Sequence, residues 1–443
     1  MWLVMLLPFL AVPNGLAIPV AGASLRLDQL AACVLVVPLG ASVLLGARRL
    51  WFDKTMWWLA AILAVNLIAT ALHSPAPIYS LLQCASLTSV WFIYVLLVNF
   101  LDTPDALNAF LRRLMWAAIV GSVIGIGAFL LASAGVDIGG AEVSEAAAER
   151  LTKAFGAYGV MVEPNIFGSF TSAALVLSIV LIAGLPRDGS AKKELRLAAW
   201  TAGISAVGLV LSFTRAAWVG TVIALVGCLV AAGRVQMRPR RSIAKPLAIV
   251  GVLVAVLLLA PGNAANLFRF KLLNLVNLQS QTAVLRLLTY SIALDQTATH
   301  PIIGWGTYTF APLVAEGNDF QQFENWRNLW IGDFGLLALH DTGVIGLLLW
   351  CGMLWSVLSR GVRAAVALCG FDSLASLHTL AVVGAVASLL VPFLTTTGFS
   401  LGYPWLLIGL LGAYARLAAV EREAPPEEVP AAPAAMPLSA DAT

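Results

Sequence analysis

Long apolar runs separated by short polar connections recur along most of this chain. A helix rises 1.5 Å per residue, so about 20 apolar residues cross the roughly 30 Å hydrocarbon layer of a bilayer. Several of the runs are shorter, and tilt or shifted helix ends would accommodate them. The pattern predicts twelve membrane-spanning helices, at 2–20, 30–45, 56–72, 79–100, 114–134, 166–185, 197–213, 216–232, 246–260, 342–358, 374–393 and 403–418.

Composition agrees with this pattern. Apolar residues make up 60% of the chain and charged residues 11%, and the mean hydropathy is +0.90. These values lie far outside the range of soluble domains. The predicted fold class is an all-α integral membrane protein with about 12 transmembrane helices.

The basic residues predict how the chain threads through the membrane. Lys and Arg in short loops stay on the cytoplasmic side, and a cytoplasmic N-terminus places most of the 26 Lys and Arg residues inside. The short external connections then hold Arg26 and Arg215 alone. Both termini are predicted to be cytoplasmic, in a bacterial inner membrane. Segment 2–20 is alternatively a cleaved signal peptide, but it has no basic residues before its apolar core, which favours a retained helix.

One long external segment divides the chain. Residues 1–261 hold predicted helices 1–9, residues 262–340 form a long, partly helical periplasmic loop, and residues 341–420 hold helices 10–12. The Pro-, Ala- and Glu-rich tail 421–443 is predicted to be disordered and cytoplasmic. In the loop, a helix is predicted from Gln281 to His300-Pro301, followed by a turn at Gly304-Trp305-Gly306.

Arg215 is the first candidate site residue. It lies between two apolar runs, where a permanently charged guanidinium is costly and suggests an anion-binding site. An arginine that snorkels at a tight turn is the alternative. Arg26 follows the same logic at the start of the second helix, with a local ion pair to Asp28 as its alternative.

His340 is the second candidate. Of the four histidines, His340 alone is predicted to lie at the outer membrane boundary, at the end of the loop that also supplies Arg286. The interface between lipid and water also suits a histidine whose role is purely structural. Asp341 is adjacent, but successive side chains diverge on a helix, so we do not expect it to orient the imidazole.

The chain has no Walker motif, no HExxH motif and no cysteine pair at metal-ligand spacing. No nucleotide cofactor, structural zinc or nucleic acid partner is therefore predicted. A reaction outside the cytoplasm would need an energised substrate that is already in the membrane.

Several motifs resemble the O-antigen ligase and polymerase superfamily. They are Arg286 with His300-Pro301-Ile302-Ile303-Gly304-Trp305-Gly306, then Leu339-His340-Asp341-Thr342-Gly343, preceded by Ser212-Phe213-Thr214-Arg215 and Glu163-Pro164-Asn165-Ile166-Phe167-Gly168. The resemblance implies an architecture like that of the GT-C glycosyltransferases. It also implies inverting, metal-independent transfer of a glycan from undecaprenyl pyrophosphate to an acceptor hydroxyl at the periplasmic face.

Carried over by motif, the resemblance makes Arg215 and Arg286 ligands of the pyrophosphate and His340 the residue that serves the acceptor. Two guanidiniums can take up the negative charge that grows on the leaving pyrophosphate. A neutral imidazole can accept the acceptor's proton. Arg26 is expected to add to a cationic entrance to this site.

Three functions remain open from the sequence. A ligase would join the lipid-linked glycan to a lipid or protein acceptor, and a polymerase would use a growing O-antigen or exopolysaccharide glycan instead. A twelve-helix transporter or flippase is the third hypothesis. Related halves with interrupted helices are typical of transporters, and this chain has no recognisable internal repeat.

Overall fold

The computed structural model describes residues 3–20, 23–136, 139, 141–142, 156–186, 189, 191–234, 269, 281–316 and 330–423. Within these residues, ten helices are long and apolar enough to cross a membrane. The chain is therefore a multi-pass α-helical membrane protein, as predicted. The predicted span at 246–260 lies outside the described residues, as do most of the residues at 262–280 and 317–329 of the long loop and positions 424–443 of the tail.

The ten long helices are α2 Leu27–Leu44, α3 Lys54–His73, α4 Pro77–Phe100, α5 Pro104–Ser133, α6 Pro164–Gly184, α7 Lys192–Leu211, α8 Arg215–Arg234, α11 Phe334–Leu368, α12 Ser373–Phe393 and α13 Gly402–Glu423. Three further helices are α1 Leu7–Ala11, α9 Gln281–Thr299 and α10 Phe310–Glu316. The loop helix predicted between Gln281 and His300 is thus confirmed as α9.

The first predicted span, 2–20, is wrong as a single helix. A 3₁₀ turn at Val4–Leu6 and α1 supply only eight helical residues, about 12 to 16 Å of rise. Pro13-Asn14-Gly15 then turns the chain, and β1 Ala17–Val20 pairs antiparallel with β2 Ala23–Arg26. Proline and glycine disfavour helix continuation, which explains the break. The predicted cytoplasmic N-terminus rested on this span and loses its basis.

A second small hairpin precedes α6, where β3 Ala141–Glu142 pairs with β4 Gly156–Ala157. It packs beside α5 and α7. Both hairpins are minor additions to an otherwise helical structure.

The helices α6 and α12 form the centre of the bundle, and both are largely enclosed by their neighbours. Small residues allow the close approach. A Cβ atom built on Gly384 of α12 would lie 2.4 Å from the Cys228 sulfur and 2.9 Å from a Val176 methyl carbon. Such small residues are typical of tightly packed membrane helices, which approach one another through van der Waals contact.

At one end of the bundle, a polar cluster ties α3, α4 and α11 together. Asp53 caps α3 by accepting from the Thr55 amide at 3.0 Å. Its Oδ2 atom accepts from the Tyr94 hydroxyl and from Arg360 Nη2, both at 2.6 Å. Arg48 and Arg416 contact α4 nearby through the carbonyls of Asn99 and Val98. We call this the basic end.

At the opposite end, α3, α7 and α12 finish and α6, α8, α11 and α13 begin. Hydrogen bonds join several of these termini: His73 to the Gly304 carbonyl at 2.7 Å, Thr214 to the Pro164 carbonyl at 2.9 Å and Thr396 to Glu163 at 2.7 Å. All of the predicted site residues lie at this end, which we call the site end.

Candidate active site

Arg215 is presented by a tight turn. After α7 ends at Leu211, Phe213 adopts a φ of 53°, a left-handed conformation that costs a non-glycine residue roughly 1–2 kcal/mol. The Thr214 hydroxyl donates to the carbonyl of Pro164 and so fixes the turn against the start of α6. Arg215 is the first residue of α8 and stays partly exposed.

Arg286, on α9, lies close to Arg215. Its positive charge acts on Arg215, on Glu163 at the start of α6 and on Asp333 at the start of α11. We call these four residues the arginine cluster. They come from four separate elements, so the fold, rather than local sequence, brings the two predicted guanidiniums together.

Glu163 supplies one carboxylate of the cluster. Its Oε1 atom accepts a hydrogen bond from the Thr396 hydroxyl at 2.7 Å. Burial raises the pKa of Glu163, while the Thr396 hydroxyl, the charge of Arg286 and the Asn165 side chain lower it by less. The residue precedes Pro164, the first residue of α6, and remains partly exposed.

Asp333 supplies the other carboxylate. It caps α11, since its Oδ1 atom accepts from the Leu336 amide at 2.7 Å. Burial raises its pKa as well, against the opposing effects of the backbone amides of Leu336 and Gly335 and of Arg286. This carboxylate is therefore directed at the backbone of its own helix.

His340 lies on α11 and is fully buried. Its Nδ1 atom lies 3.0 Å from Asp341 Oδ1, and its Nε2 atom lies 2.9 Å from Gln296 Oε1. Asp341 was not expected to orient the imidazole, and this contact contradicts that expectation. The backbone amide of Tyr308 donates to Asp341 Oδ2 at 2.9 Å and holds the carboxylate beside the imidazole ring. The spacing of residues along a helix could not predict this contact, because Tyr308 lies in the loop.

The loop of residues 300–308 packs against a break in α11. Gly343 has φ 64° and ψ −168°, which interrupts the helix and exposes backbone groups on both sides of it. The Trp305 and Gly306 amides donate to the carbonyls of His340 and Asp341 at 3.0 and 2.9 Å. Gly304 and Gly306 both have positive φ values, of 79° and 97°. Their role is to let the loop approach the helix backbone closely.

Two histidines join this loop to α3. The rings of His73 and His300 stack with centroids 3.9 Å apart, and Trp305 meets the His300 ring edge-on at 4.3 Å. His73 Nδ1 also lies 2.7 Å from the Gly304 carbonyl oxygen. Burial, and then the neighbouring His73, lower the pKa of His300.

The arginine cluster and His340 lie along the same pair of helices. Arg286 and Gln296 are ten residues apart on α9, a rise of about 15 Å. Asp333 and His340 are seven residues apart on α11, which runs beside α9. The charges of the two arginines act on one another, whereas the enclosed imidazole lies further along α9 and α11.

Comparison with known families adds to this geometry. Residues 200–351 match the family model described as O-Antigen ligase. Over these residues the chain is similar to that family, and we call residues 200–351 the O-antigen ligase segment. This confirms the resemblance for the motifs from Ser212 to Gly343, although the match spans about a third of the chain and does not reach the motif at 163–168. No curated protein matches the sequence.

The O-antigen ligase segment includes Arg215, Arg286 and His340, together with Gln296, Asp333 and Asp341. A member of this family is expected to transfer glycans and to use lipid-linked glycan substrates. The transporter hypothesis has no comparable support. Glu163 and Arg26 lie outside the matched range.

Arg26 is occupied by protein contacts. It pairs with Asp28 at 3.5 Å and donates to the Ser400 carbonyl, and little of its side chain is exposed. The local ion pair considered as the alternative is thus present. A contribution of Arg26 to donor binding stays a prediction.

Three polar residues of the site end were not assigned roles from the sequence. Glu163 belongs to the Glu-Pro-Asn motif, for which no function is predicted. Gln296 lies in none of the motifs, and Asp341 is not expected to orient the imidazole. The Glu-Pro-Asn motif was the one available clue, since a carboxylate beside a proline at the start of an apolar helix lies near the membrane boundary.

Proposed function

We propose that this protein transfers a glycan from undecaprenyl pyrophosphate to an acceptor hydroxyl. The observation that carries the proposal is the proximity of Arg215 and Arg286, contributed by different elements within the O-antigen ligase segment. Two neighbouring guanidiniums repel one another, and a bound anion offsets this repulsion. A diphosphate suits such a pair because its oxygens accept several charge-assisted hydrogen bonds at once.

In the proposed reaction, the acceptor oxygen attacks the anomeric carbon of the donor sugar and inverts its configuration. The bond from that carbon to the phosphate oxygen breaks, and the electron pair leaves with the pyrophosphate. Arg215 and Arg286 stabilise this growing charge, a task that a divalent metal performs in other transferases.

The proton of the acceptor hydroxyl passes to His340 Nε2 in this scheme. Asp341, 3.0 Å from Nδ1, would hold the proton on that nitrogen and leave Nε2 without one. The Gln296 amide would then turn its NH2 group, rather than its oxygen, toward Nε2. The hydroxyl would take the position now filled by the Gln296 side chain, 2.9 Å from Nε2. A base placed in this way typically contributes about 10² to 10⁴ in rate.

We further propose that the site end faces the periplasm and that the C-terminus is cytoplasmic. The basic end carries Arg48, Arg112, Arg360 and Arg416 close to the ends of the helices. Basic residues in such positions are retained on the cytoplasmic side. Undecaprenyl-linked donors would then reach the site from the periplasmic leaflet of the membrane.

The test is reconstitution of the purified protein with a lipid-linked glycan donor. One reaction receives lipid A-core as acceptor and a second receives only more lipid-linked glycan, each with and without a metal chelator. A glycosylated lipid A-core indicates a ligase, and a lengthened lipid-linked chain indicates a polymerase. No product with either acceptor, from protein shown to be folded, contradicts the proposal.

A further inference from the structure

Glu163 is an ionisable group of the arginine cluster for which the proposed reaction has no use. It lies at the N-cap position of α6, but its side chain does not cap that helix. Its hydrogen-bond partners are neutral: the hydroxyl of Thr396 at 2.7 Å and the side chain of Asn165. The Thr214 hydroxyl donates to the Pro164 carbonyl at 2.9 Å, which places Glu163 beside the turn that presents Arg215. The charge of Arg286 also acts on Glu163.

The two carboxylates of the cluster differ in this respect. Asp333 directs its carboxylate to the amides at the start of α11, with Oδ1 2.7 Å from the Leu336 nitrogen. Those amides and the dipole of α11 already stabilise the ionised carboxylate of Asp333. Glu163 has no such backbone partners at its own helix. Of these two acids, Glu163 is the better placed to compete with a bound anion for Arg286.

The chemistry of glycan transfer creates a need for such competition. In the donor, the terminal phosphate is esterified to the sugar. When the carbon–oxygen bond breaks, that ester oxygen becomes a terminal phosphate oxygen with additional negative charge. Two guanidiniums therefore hold the product diphosphate more tightly than the donor, and product release is a common limit on turnover.

We propose that Glu163 is the resident counter-ion of Arg286 and that it promotes release of the diphosphate product. The inference rests on the proposed function, since it assumes that the arginines bind a diphosphate. Before the donor arrives, the carboxylate balances Arg286. After transfer, it competes with the product for the guanidinium and shortens the time for which the product stays bound.

The experiment compares wild type with Glu163→Gln. Glutamine keeps the length of the side chain and an oxygen that can accept from Thr396, but it carries no charge. We expect undecaprenyl pyrophosphate to inhibit the variant at about tenfold lower concentration, equivalent to one close charge interaction. Steady-state turnover should fall several-fold, whereas the rate of a single turnover stays within about twofold of wild type.

Asp333→Asn is the matched control. It removes the other carboxylate near Arg286, and asparagine still caps a helix. Its inhibition by undecaprenyl pyrophosphate should change by much less than that of Glu163→Gln. Glu163→Asp, which keeps the charge, should stay close to wild type. If glutamine prevents folding, Glu163→Ser carries the test, because serine is a preferred N-cap residue.

The possible contrary results are distinct. Weaker product binding in Glu163→Gln would make Glu163 a residue that positions Arg286, and a lost single turnover would make it the general base. Either result overturns the counter-ion role, as does equal product inhibition in folded wild type and variant. A wild-type protein that binds no undecaprenyl pyrophosphate overturns the proposed function itself, and this inference with it.

Discussion

The two ends of the bundle use arginine in different ways. At the basic end, Arg360 meets one carboxylate, with Nη2 2.6 Å from Asp53 Oδ2, and Nη1 donates to Thr55 at 2.9 Å. At the site end, Arg286 is influenced by Glu163, by Asp333 and by the like charge of Arg215. A guanidinium matched to one close carboxylate ties helices together. A guanidinium beside another guanidinium is better suited to binding an anion from outside.

Buried histidines show that hydrogen bonding alone does not separate these roles. At the basic end, His378 lies 2.5 Å from Glu194 and 2.8 Å from the Asn108 side-chain oxygen. At the site end, His340 has the same combination of one carboxylate and one amide. What distinguishes His340 is its place on α11, beside the helix that carries Arg286. His340 and His378 therefore differ in their location rather than in their hydrogen bonds, and substitutions at both ends of the bundle can test this difference.

The largest contrast is expected between His340→Ala and His378→Ala. Loss of the proposed base should lower the single-turnover rate of glycan transfer by about 10² to 10⁴. Loss of His378 should lower the melting temperature and leave the transfer rate of folded protein close to wild type. Measuring both quantities on both variants checks this, and a large transfer defect in His378→Ala would remove the distinction between the two ends.

The arginines should follow the same division. Arg215→Ala and Arg286→Ala should each lower transfer by about 10² to 10³, the usual cost of losing one group that stabilises developing charge. Arg360→Ala breaks a largely buried pair, which typically costs about 3 kcal/mol of stability or more. Thermal unfolding in detergent, beside transfer assays, separates the effects. Full activity in both site-end variants would contradict the proposed chemistry.

Asp341→Asn tests whether the imidazole depends on its neighbouring carboxylate. A hydrogen bond to a charged group is worth about 1.5–3 kcal/mol, so the transfer rate should fall by roughly tenfold to a hundredfold. The loss should be much smaller when His340 is already alanine, because Asp341 would act through the ring. Equal losses in both backgrounds would show that Asp341 acts independently.

Glu163 should give a smaller, pH-dependent effect. Because burial raises the pKa of Glu163, falling pH neutralises this carboxyl before an ordinary glutamate. The difference in product inhibition between wild type and Glu163→Gln should therefore shrink as pH falls. The other groups that act on this carboxyl are Arg286, Thr396, Asn165 and Tyr403. A difference that stays constant with pH would argue against a charge effect.

The smallest effect is expected where the histidines stack. Burial and His73 lower the pKa of His300, so folding favours its neutral form. Above the ordinary histidine pKa, His300 is neutral in both the folded and the unfolded protein and does not reduce folding stability. As the pH falls from that value through the lowered pKa of His300, folding stability is lost. His300→Phe should keep the stacked contact and reduce the fall in melting temperature on acidification. An identical pH profile in wild type and variant would exclude His300 as the cause.

Much of the fold follows from local properties of the chain. The limits of α9 were predictable because Pro301 lacks an amide hydrogen and ends the helix. The apolar runs likewise predicted the long helices, although α5 and α11 extend well beyond their runs. The error at 2–20 arose because average hydrophobicity outweighed the local signal of Pro13-Asn14-Gly15.

The sequence by itself determined that this chain has many apolar helices long enough to cross a membrane and that its arginine and histidine motifs resemble those of the O-antigen ligase family. Those properties depend on hydrophobicity and on residues close together in the chain. Only the tertiary structure decided that Glu163 accompanies the arginines and that Asp341 and Gln296 hold His340. Glu163 and Gln296 reach their partners from separate elements, and the Tyr308 amide of the loop holds Asp341 beside His340. This geometry depends on how the helices pack and on the left-handed backbone at Phe213 and Gly343.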